Sequence, residues 1–213
     1  MTQEKEDKRL DLQAAYSVRT PAENEALYAA WAKTYDESFA AASDYIFPQQ
    51  VARVFHEQGG HGPVLDAGAG TGLVAEAIAA RKTCLMDAFD ISEPMLSIAK
   101  AKGVYRRLVQ GDLTQKLPFD DGSYASVVSA GTFTHGHVGP EAMDELLRVS
   151  ASGALLVLTI KAELYEARGF AATFSDLGMQ IYDFQLQEVP IYGAGAQSSD
   201  TLDAGLIACF RKT

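Results

Sequence analysis

Three glycines, three aspartates and two histidines carry the chemistry that this sequence offers. In VLDAGAGTGL (64–73), Gly68, Gly70 and Gly72 separate an apolar run from an amphipathic one. A glycine turn between a strand and a helix lets a ligand approach the backbone where no Cβ obstructs it. The dinucleotide spacing G-x-G-x-x-G is not met, because Leu73 stands three residues after Gly70 and the third glycine comes one residue early. Asp66, just ahead of the turn, would repel a pyrophosphate but suits an ammonium group, met directly or through water. Asp90 lies in AFDISEPML, 20 residues beyond Gly70, and is placed to accept hydrogen bonds from both ribose hydroxyls. Asp112, in VQGDL, can accept from an adenine amino group, with Leu113 and Met95 as apolar walls. Each feature also has a plainer account: a turn without a ligand, a helix cap at Asp90, a turn carboxylate at Asp112. Taken in register they describe an adenosine with an amino-acid arm rather than a phosphate.

The histidines stand in SAGTFTHGHVGP (129–140), as His135 and His137. A metal site needs three or four ligands, and Cys84 and Cys209 both fall in apolar runs rather than in this loop. No metal is expected. A base near neutral pKa, a positioner of a substrate and a polar turn residue remain open for the pair. His56 and His61 flank a helix end, where solvent and the helix dipole account for them.

These residues must be held by a scaffold, and the totals bound it. The chain has 213 residues, 47% hydrophobic and 22% charged, which suits one soluble domain with a full core and a short extension. No apolar run approaches the roughly 20 residues of a membrane span. The charged start, MTQEKEDKRLDLQ, lacks the apolar stretch of a secretion signal, so a cytoplasmic location is expected. A formal net charge of −10 opposes a phosphate backbone, which argues against nucleic acid and anionic membranes and for a small-molecule partner.

The segment AENEALYAAWAKTYDESFAAA, after Thr20 and Pro21, spaces Leu27, Tyr28, Trp31 and Tyr35 on one helical face. PQQVARVFHEQ is a second helix, stopped at Gly59-Gly60. Short apolar runs then alternate with amphipathic segments. Strands are expected in PVLDAG, CLMDAFD, VYRRLVQGD, YASVVSAG and GALLVLTI, and helices in LVAEAIAARK, EPMLSIAKAK and EAMDELLRV. That alternation implies right-handed crossovers and a parallel sheet covered on both faces, an α/β three-layer αβα sandwich. After one helix over 162–177, GMQIYDFQLQEV and DAGLIACFRK are joined by a loop too short for a helical crossover and should pair antiparallel. Residues 1–58 read as a tail and helical cap, and 59–213 as the main domain, the whole forming one unit.

From about Tyr28 to Ile160 the chain resembles the class I S-adenosylmethionine-dependent methyltransferases. DAGAGTG is similar to their first motif, FDISEPML to their second-strand acid, and GDLTQKLPFDDGSYASVVS to their third and fourth strands. A closer resemblance, through AWAKTYDESF, GLVAEAIA, EPML and GVYRRLVQGDL, is to the Williams-Beuren-region methyltransferase-like group, whose substrates are poorly defined. The resemblance implies a Rossmann-like, seven-stranded sheet of order 3-2-1-4-5-7-6 with strand 7 antiparallel. It implies S-adenosyl-L-methionine as donor and S-adenosyl-L-homocysteine as product, and it adds Ala69, Ile91, Gly111 and Ala130 to the donor site. It also suggests that the N-terminal helix covers the donor's methionine end, with at least one of Tyr28, Trp31 and Tyr35 touching the donor, the tyrosines able to hydrogen-bond and Trp31 able to shield the sulfonium; core packing is the plainer account of this aromatic stripe.

In such a fold the acceptor lies above the carboxyl ends of strands 4 and 5. His135 or His137 is then the base or positioner, and Phe39, Tyr45, Phe47, Lys161, Tyr165 and Tyr192 are expected walls. The expectation is methyl transfer to an O or N atom of a small molecule, by a monomer or homodimer. Two rivals stand beside it: a non-catalytic donor-binding sensor, and a nicotinamide-dependent oxidoreductase disfavoured by the glycine spacing.

Overall fold

The structure is a computed structural model that describes Tyr35, Asp36, Ala40 and residues 43–134, 138–195 and 204–213. Apart from Tyr35, Asp36 and Ala40, the expected first helix with its cap at Thr20 and Pro21 lies outside the described residues, as do Tyr28, Trp31, Phe39, His135 and His137.

Seven strands form one sheet: β1 (Val64–Ala67), β2 (Met86–Asp90), β3 (Arg107–Gln110), β4 (Tyr124–Phe133), β5 (Ser150–Lys161), β6 (Ile181–Pro190) and β7 (Ala204–Lys212). Their order is 3-2-1-4-5-7-6. Neighbours from β3 to β5 pair parallel, while β7 runs antiparallel to both β5 and β6. This is the expected sheet. The described helices are α1 (Phe47–Glu57), α2 (Leu73–Ala79), α3 (Glu93–Ala101), α4 (Ala142–Val149), α5 (Ala162–Ala167) and α6 (Phe170–Leu177).

The central strands are buried on both faces because each face has its own apolar cover. On one side Phe47, Val51 and Phe55 of α1 pack with Val64, Val128, Val157 and Ile207. On the other, Leu146 of α4 and Phe170 and Phe174 of α6 meet Leu156, Leu158 and Phe210. Each such side chain contributes about 1.5–3 kcal/mol on full burial, so α1 is fastened into the same core as the sheet. At the far edge, β3 is held by charge as well as by its ladder. Arg106 and Arg107 both bond the buried Asp87 of β2, whose carboxylate also accepts from Tyr124 at 2.9 Å. Burial alone would raise the Asp87 pKa, but these donors prevail and hold it at about 2.

Two departures from expectation have local causes. The helix over 162–177 is broken into α5 and α6 at Gly169, whose φ of 84° is left-handed. Glycine adopts that geometry without a Cβ penalty and stops a helix. The break lets Leu164 and Phe170 both turn inward, and both are buried. Strand β4 runs past the expected YASVVSAG to Phe133, through a register shift against β5 between Ser129 and Phe133. Gly131, with φ 76°, lies inside that shift. Bulges of this kind re-aim a strand end next to a site. Here the irregular end of β4 supplies Ala130, Gly131 and Thr132 to a cavity wall.

Candidate functional site

At the carboxyl ends of β1, β2, β3 and β4 the chain leaves an open cavity of about 960 Å³, its mouth included. The floor is the β1–α2 turn, through Gly68, Ala69, Gly70 and Thr71. One side is built by Asp90, Ile91, Ser92 and Met95, and the next by Gly111, Asp112 and Leu113. Ala130, Gly131, Thr132 and Val138 close the β4 side, and Tyr35, Tyr45 and Pro48 come from the N-terminal region.

The three glycines of the turn are left-handed for different reasons. A Cβ on Gly68 would overlap the Thr132 hydroxyl, so this residue is required by packing against β4. At Gly72 it would lie 3.0 Å from the Tyr105 ring, on the side away from the cavity wall. Only at Gly70 would a Cβ meet nothing within 4 Å. The open approach expected of the whole turn is therefore concentrated at Gly70. The turn is anchored below by the Gly68 and Ala69 N–H groups, which donate to the Phe89 carbonyl at 2.8 and 3.1 Å. Hydroxyls of Ser129 and Thr132 donate to the Ala67 carbonyl at 2.6 and 3.2 Å.

Asp90 joins the turn to the second strand. Its Oδ2 accepts from the Gly70 N–H at 2.7 Å, and its Oδ1 from the Ser92 N–H at 2.8 Å. Burial pushes its pKa up, and the backbone donors of Ser92, Gly70 and Ile91 oppose that. Each oxygen keeps acceptor capacity for a further donor, because a carboxylate offers about four lone-pair sites. Ser92, not Asp90, caps α3 with its side chain, accepting from the Met95 N–H at 3.4 Å. The plainer account of Asp90 as that helix's cap is thereby displaced. Asp112 uses Oδ1 for an Asx-type turn, accepting from both the N–H and the hydroxyl of Thr114 at 2.8 Å. It is thus a turn carboxylate that also lines the cavity. Gly111 beside it is enforced by Phe89, whose ring a Cβ would approach to 2.5 Å.

Asp66 is placed differently. It is fully buried and does not line the cavity. Its Oδ2 accepts from the Tyr105 hydroxyl at 2.5 Å, and its Oδ1 has no partner among the described residues. Burial raises its pKa to about 7; the Tyr105 bond works against the shift and the Asp90 charge adds to it. Folded Asp66 therefore holds a proton that an ordinary carboxyl of pKa 3.8 has released. Proton linkage then makes the folded state lose stability as pH rises from about 4 to about 7, with no further loss above. Without any donor present, the wild type should lose melting temperature relative to Asp66→Asn between pH 5 and pH 8. Parallel melting-temperature curves for the two proteins would show that Asp66 is ionised throughout.

Of the residues expected at a donor site, Tyr35, Gly68, Ala69, Gly70, Asp90, Ile91, Met95, Gly111, Asp112, Leu113 and Ala130 line this one cavity. Asp66 and Gly72 stand behind its wall. Among the expected acceptor walls, Tyr45 lines the cavity, whereas Phe47, Lys161, Tyr165 and Tyr192 do not. Phe47 instead fills the core, and Tyr165 stacks on Phe174. His56, expected in solvent, is half-buried with Nε2 3.1 Å from the Ile78 carbonyl. Thr71, Tyr105 and Thr132 were not marked by any sequence pattern; their partners are 35, 39 and 65 residues away.

Residues 65–158, which span β1 to β5, match the methyltransferase domain family. Over β1 to β5 the chain is thus similar to methyltransferase domains. The human methyltransferase-like protein 27 is 32% identical over 159 residues, which are 72% of this chain and 64% of that protein. The chain thus spans less than two thirds of this relative's length. Among solved structures, a TehB-like SAM-dependent methyltransferase from Corynebacterium glutamicum superposes with a TM-score of 0.61 at 21% identity, covering 88% of this chain and 99% of that one. The [4+2]-cyclase SpnF superposes with a TM-score of 0.66 at 16% identity, covering 92% and 97%. The chain therefore has the expected Rossmann-like fold. That a cyclase shares it shows why the chemistry has to be argued from the site.

Proposed function

We propose that this chain is an S-adenosyl-L-methionine-dependent methyltransferase that methylates an O or N atom of a small molecule. The observation that carries the reading is Asp90: its carboxylate lies on the cavity wall, tied to Gly70, the turn residue with open space beside it. The residues present fit the donor. Asp90 would accept from the ribose diol, Asp112, Met95 and Leu113 would surround the adenine, and the wall between Gly68 and Tyr35 would take the amino-acid arm. Asp66, behind the turn with one oxygen unpartnered among the described residues, would favour the ammonium only as it ionises near pH 7. The glycine spacing of the turn, one residue short of G-x-G-x-x-G, favours the donor over a dinucleotide.

When bound, S-adenosyl-L-methionine supplies a methyl on a positively charged sulfur and departs as S-adenosyl-L-homocysteine. Sulfur charge disappears as the methyl moves, so the chain's main task is to hold nucleophile and methyl in line. Tyr45 serves that task from a fixed frame. Its N–H donates to the Ala40 carbonyl at 2.9 Å, and the Ile46 N–H donates to the Ile191 carbonyl at 3.0 Å. Its hydroxyl rests on Gly131, where a Cβ would come within 2.5 Å of the oxygen. The Tyr45 hydroxyl is thereby presented at the end of β4. Thr132 and Val138, on either side of the histidine pair in sequence, both line the cavity. We assign His135 or His137 the proton that an alcohol or amine acceptor must lose.

Calorimetric titration with S-adenosyl-L-methionine, S-adenosyl-L-homocysteine and NAD(H) tests the binding half of the proposal. Micromolar binding of the two sulfur ligands and none of NAD(H) is the expected result; the reverse would reassign the cavity to an oxidoreductase. Release of S-adenosyl-L-homocysteine across a panel of alcohol, phenol and amine acceptors tests the other half. Donor binding with no turnover on any acceptor would favour a sensor.

A further inference from the structure

Asp36 follows Tyr35, whose side chain lines the cavity. Its two carboxylate oxygens are committed in different directions. Oδ1 accepts from the Thr71 hydroxyl at 2.5 Å, and Oδ2 pairs with Lys102 Nζ at 2.6 Å. Lys102 continues the chain of contacts to Glu76 Oε2 at 2.7 Å. These partners come from three places, and of them Thr71 lines the donor cavity. Thr71 stands in the glycine turn, Glu76 in the first turn of α2, and Lys102 at the C-terminal cap of α3.

The tie differs from an ordinary surface ion pair, which contributes little because water competes for both charges. The Lys102 side chain is only 14% exposed and has two carboxylates about it. Thr71 is 2% exposed, and a buried hydroxyl without a partner costs free energy. Asp36 supplies that partner. The glycine turn is therefore complete only when the 35–36 segment is seated on it.

We propose that Asp36 is a positioning residue for donor binding. By fixing its segment to Thr71 and Lys102 it holds Tyr35 in the cavity, so that the seated segment and the bound donor stabilise each other. The coupling is reciprocal, as any linkage between two binding equilibria must be. This inference rests on the reading of the cavity as an S-adenosyl-L-methionine site, and it adds a device that neither the glycine turn nor the strand-end acids supply.

The probe is S-adenosyl-L-homocysteine, titrated calorimetrically into the full chain and into Asp36→Asn, Lys102→Met and the double variant. Each single change should weaken binding about 5- to 150-fold, the span of ordinary coupling free energies. The double variant should be no worse than the weaker-binding single one, since either change releases the same segment. Asp36→Glu, which keeps the charge, should recover part of the loss. The single tryptophan, Trp31, lies five residues before Asp36 in sequence; its emission should respond to the ligand in the wild type and much less in Asp36→Asn. Melting temperatures with and without ligand separate this role from a merely structural one, because positioning predicts a loss of ligand-induced stabilisation beyond any loss of unliganded stability. Wild-type binding matched by Asp36→Asn overturns the inference and leaves the donor site standing. Losses that multiply in the double variant also overturn it, and a wild type that binds no S-adenosyl-L-homocysteine removes the donor site and the inference together.

Discussion

Asp90→Ala is expected to weaken S-adenosyl-L-homocysteine binding by about 1 to 3 kcal/mol, the range for hydrogen bonds lost to a charged group, or roughly 5- to 150-fold in affinity. The structure gives Asp90 two tasks that this change removes together. It would face the ribose, and it already accepts the Gly70 and Ser92 N–H groups. Losing the second task leaves two backbone donors without their partner and loosens the turn. The unliganded protein should therefore melt at a lower temperature as well. Comparing the two readouts separates the tasks. A fall in affinity beyond the fall in melting stability assigns the ribose role, whereas a drop in stability with unchanged affinity would make Asp90 a scaffold of the turn alone. Asp90→Asn sharpens the comparison. Its amide keeps the shape and one acceptor but turns an N–H₂ toward one of the two backbone donors, so its turn should be strained while its remaining oxygen can still meet one hydroxyl.

The sheet was legible because its signals are local. Apolar runs of strand length alternate with amphipathic segments, and the short connection between the last two strands leaves antiparallel pairing as the geometric choice. The acids at strand ends were legible for a related reason, since the carboxyl ends of parallel strands all fall on one edge of the sheet. Asp66, Asp90 and Asp112 needed only that topology to be brought near one another. What sequence did not show is how the side chains share the work between them. Asp66 and Asp90 occupy similar positions in the pattern, yet one is shut behind the turn with Tyr105 and the other stands on the wall. Burial decides between them, and burial depends on residues far along the chain.

The glycines illustrate the same limit. All three have positive φ, and a pattern of glycines implies just that. Whether the missing Cβ makes room for a ligand, for Thr132 or for Tyr105 is settled by what folds back onto the turn. The latch through Asp36, Thr71 and Lys102 was hidden because its members are spread over the N-terminal region, the glycine turn and the C-terminal cap of α3, and none has a distinctive spacing from another. Gly169 was the one signal that a local reading passed over. A glycine inside a predicted helix marks a possible stop, and here it separates α5 from α6.

His137→Gln is expected to lower kcat by about 10²-fold or more if His137 is the general base, as proton transfer by a positioned side chain contributes roughly 10²- to 10⁴-fold. Glutamine keeps a hydrogen-bonding group of similar reach but cannot take a proton near neutral pH. The comparison therefore isolates proton transfer from positioning. The assay is release of S-adenosyl-L-homocysteine with whichever alcohol, phenol or amine the acceptor panel identifies, measured from pH 5 to pH 10. In the wild type kcat should rise with pH through the imidazole pKa and level off, because the base works in its neutral form. In the variant that limb should vanish, and kcat should instead climb toward high pH as hydroxide or the ionised acceptor substitutes for the base. His135→Gln, tested beside it, identifies which of the two carries the role. A rise in the acceptor KM at constant kcat would make His137 a positioner. Wild-type values of both constants in both variants would leave the pair as polar residues of the loop, and the proton would then have to leave by way of the Tyr45 hydroxyl or solvent at the end of β4.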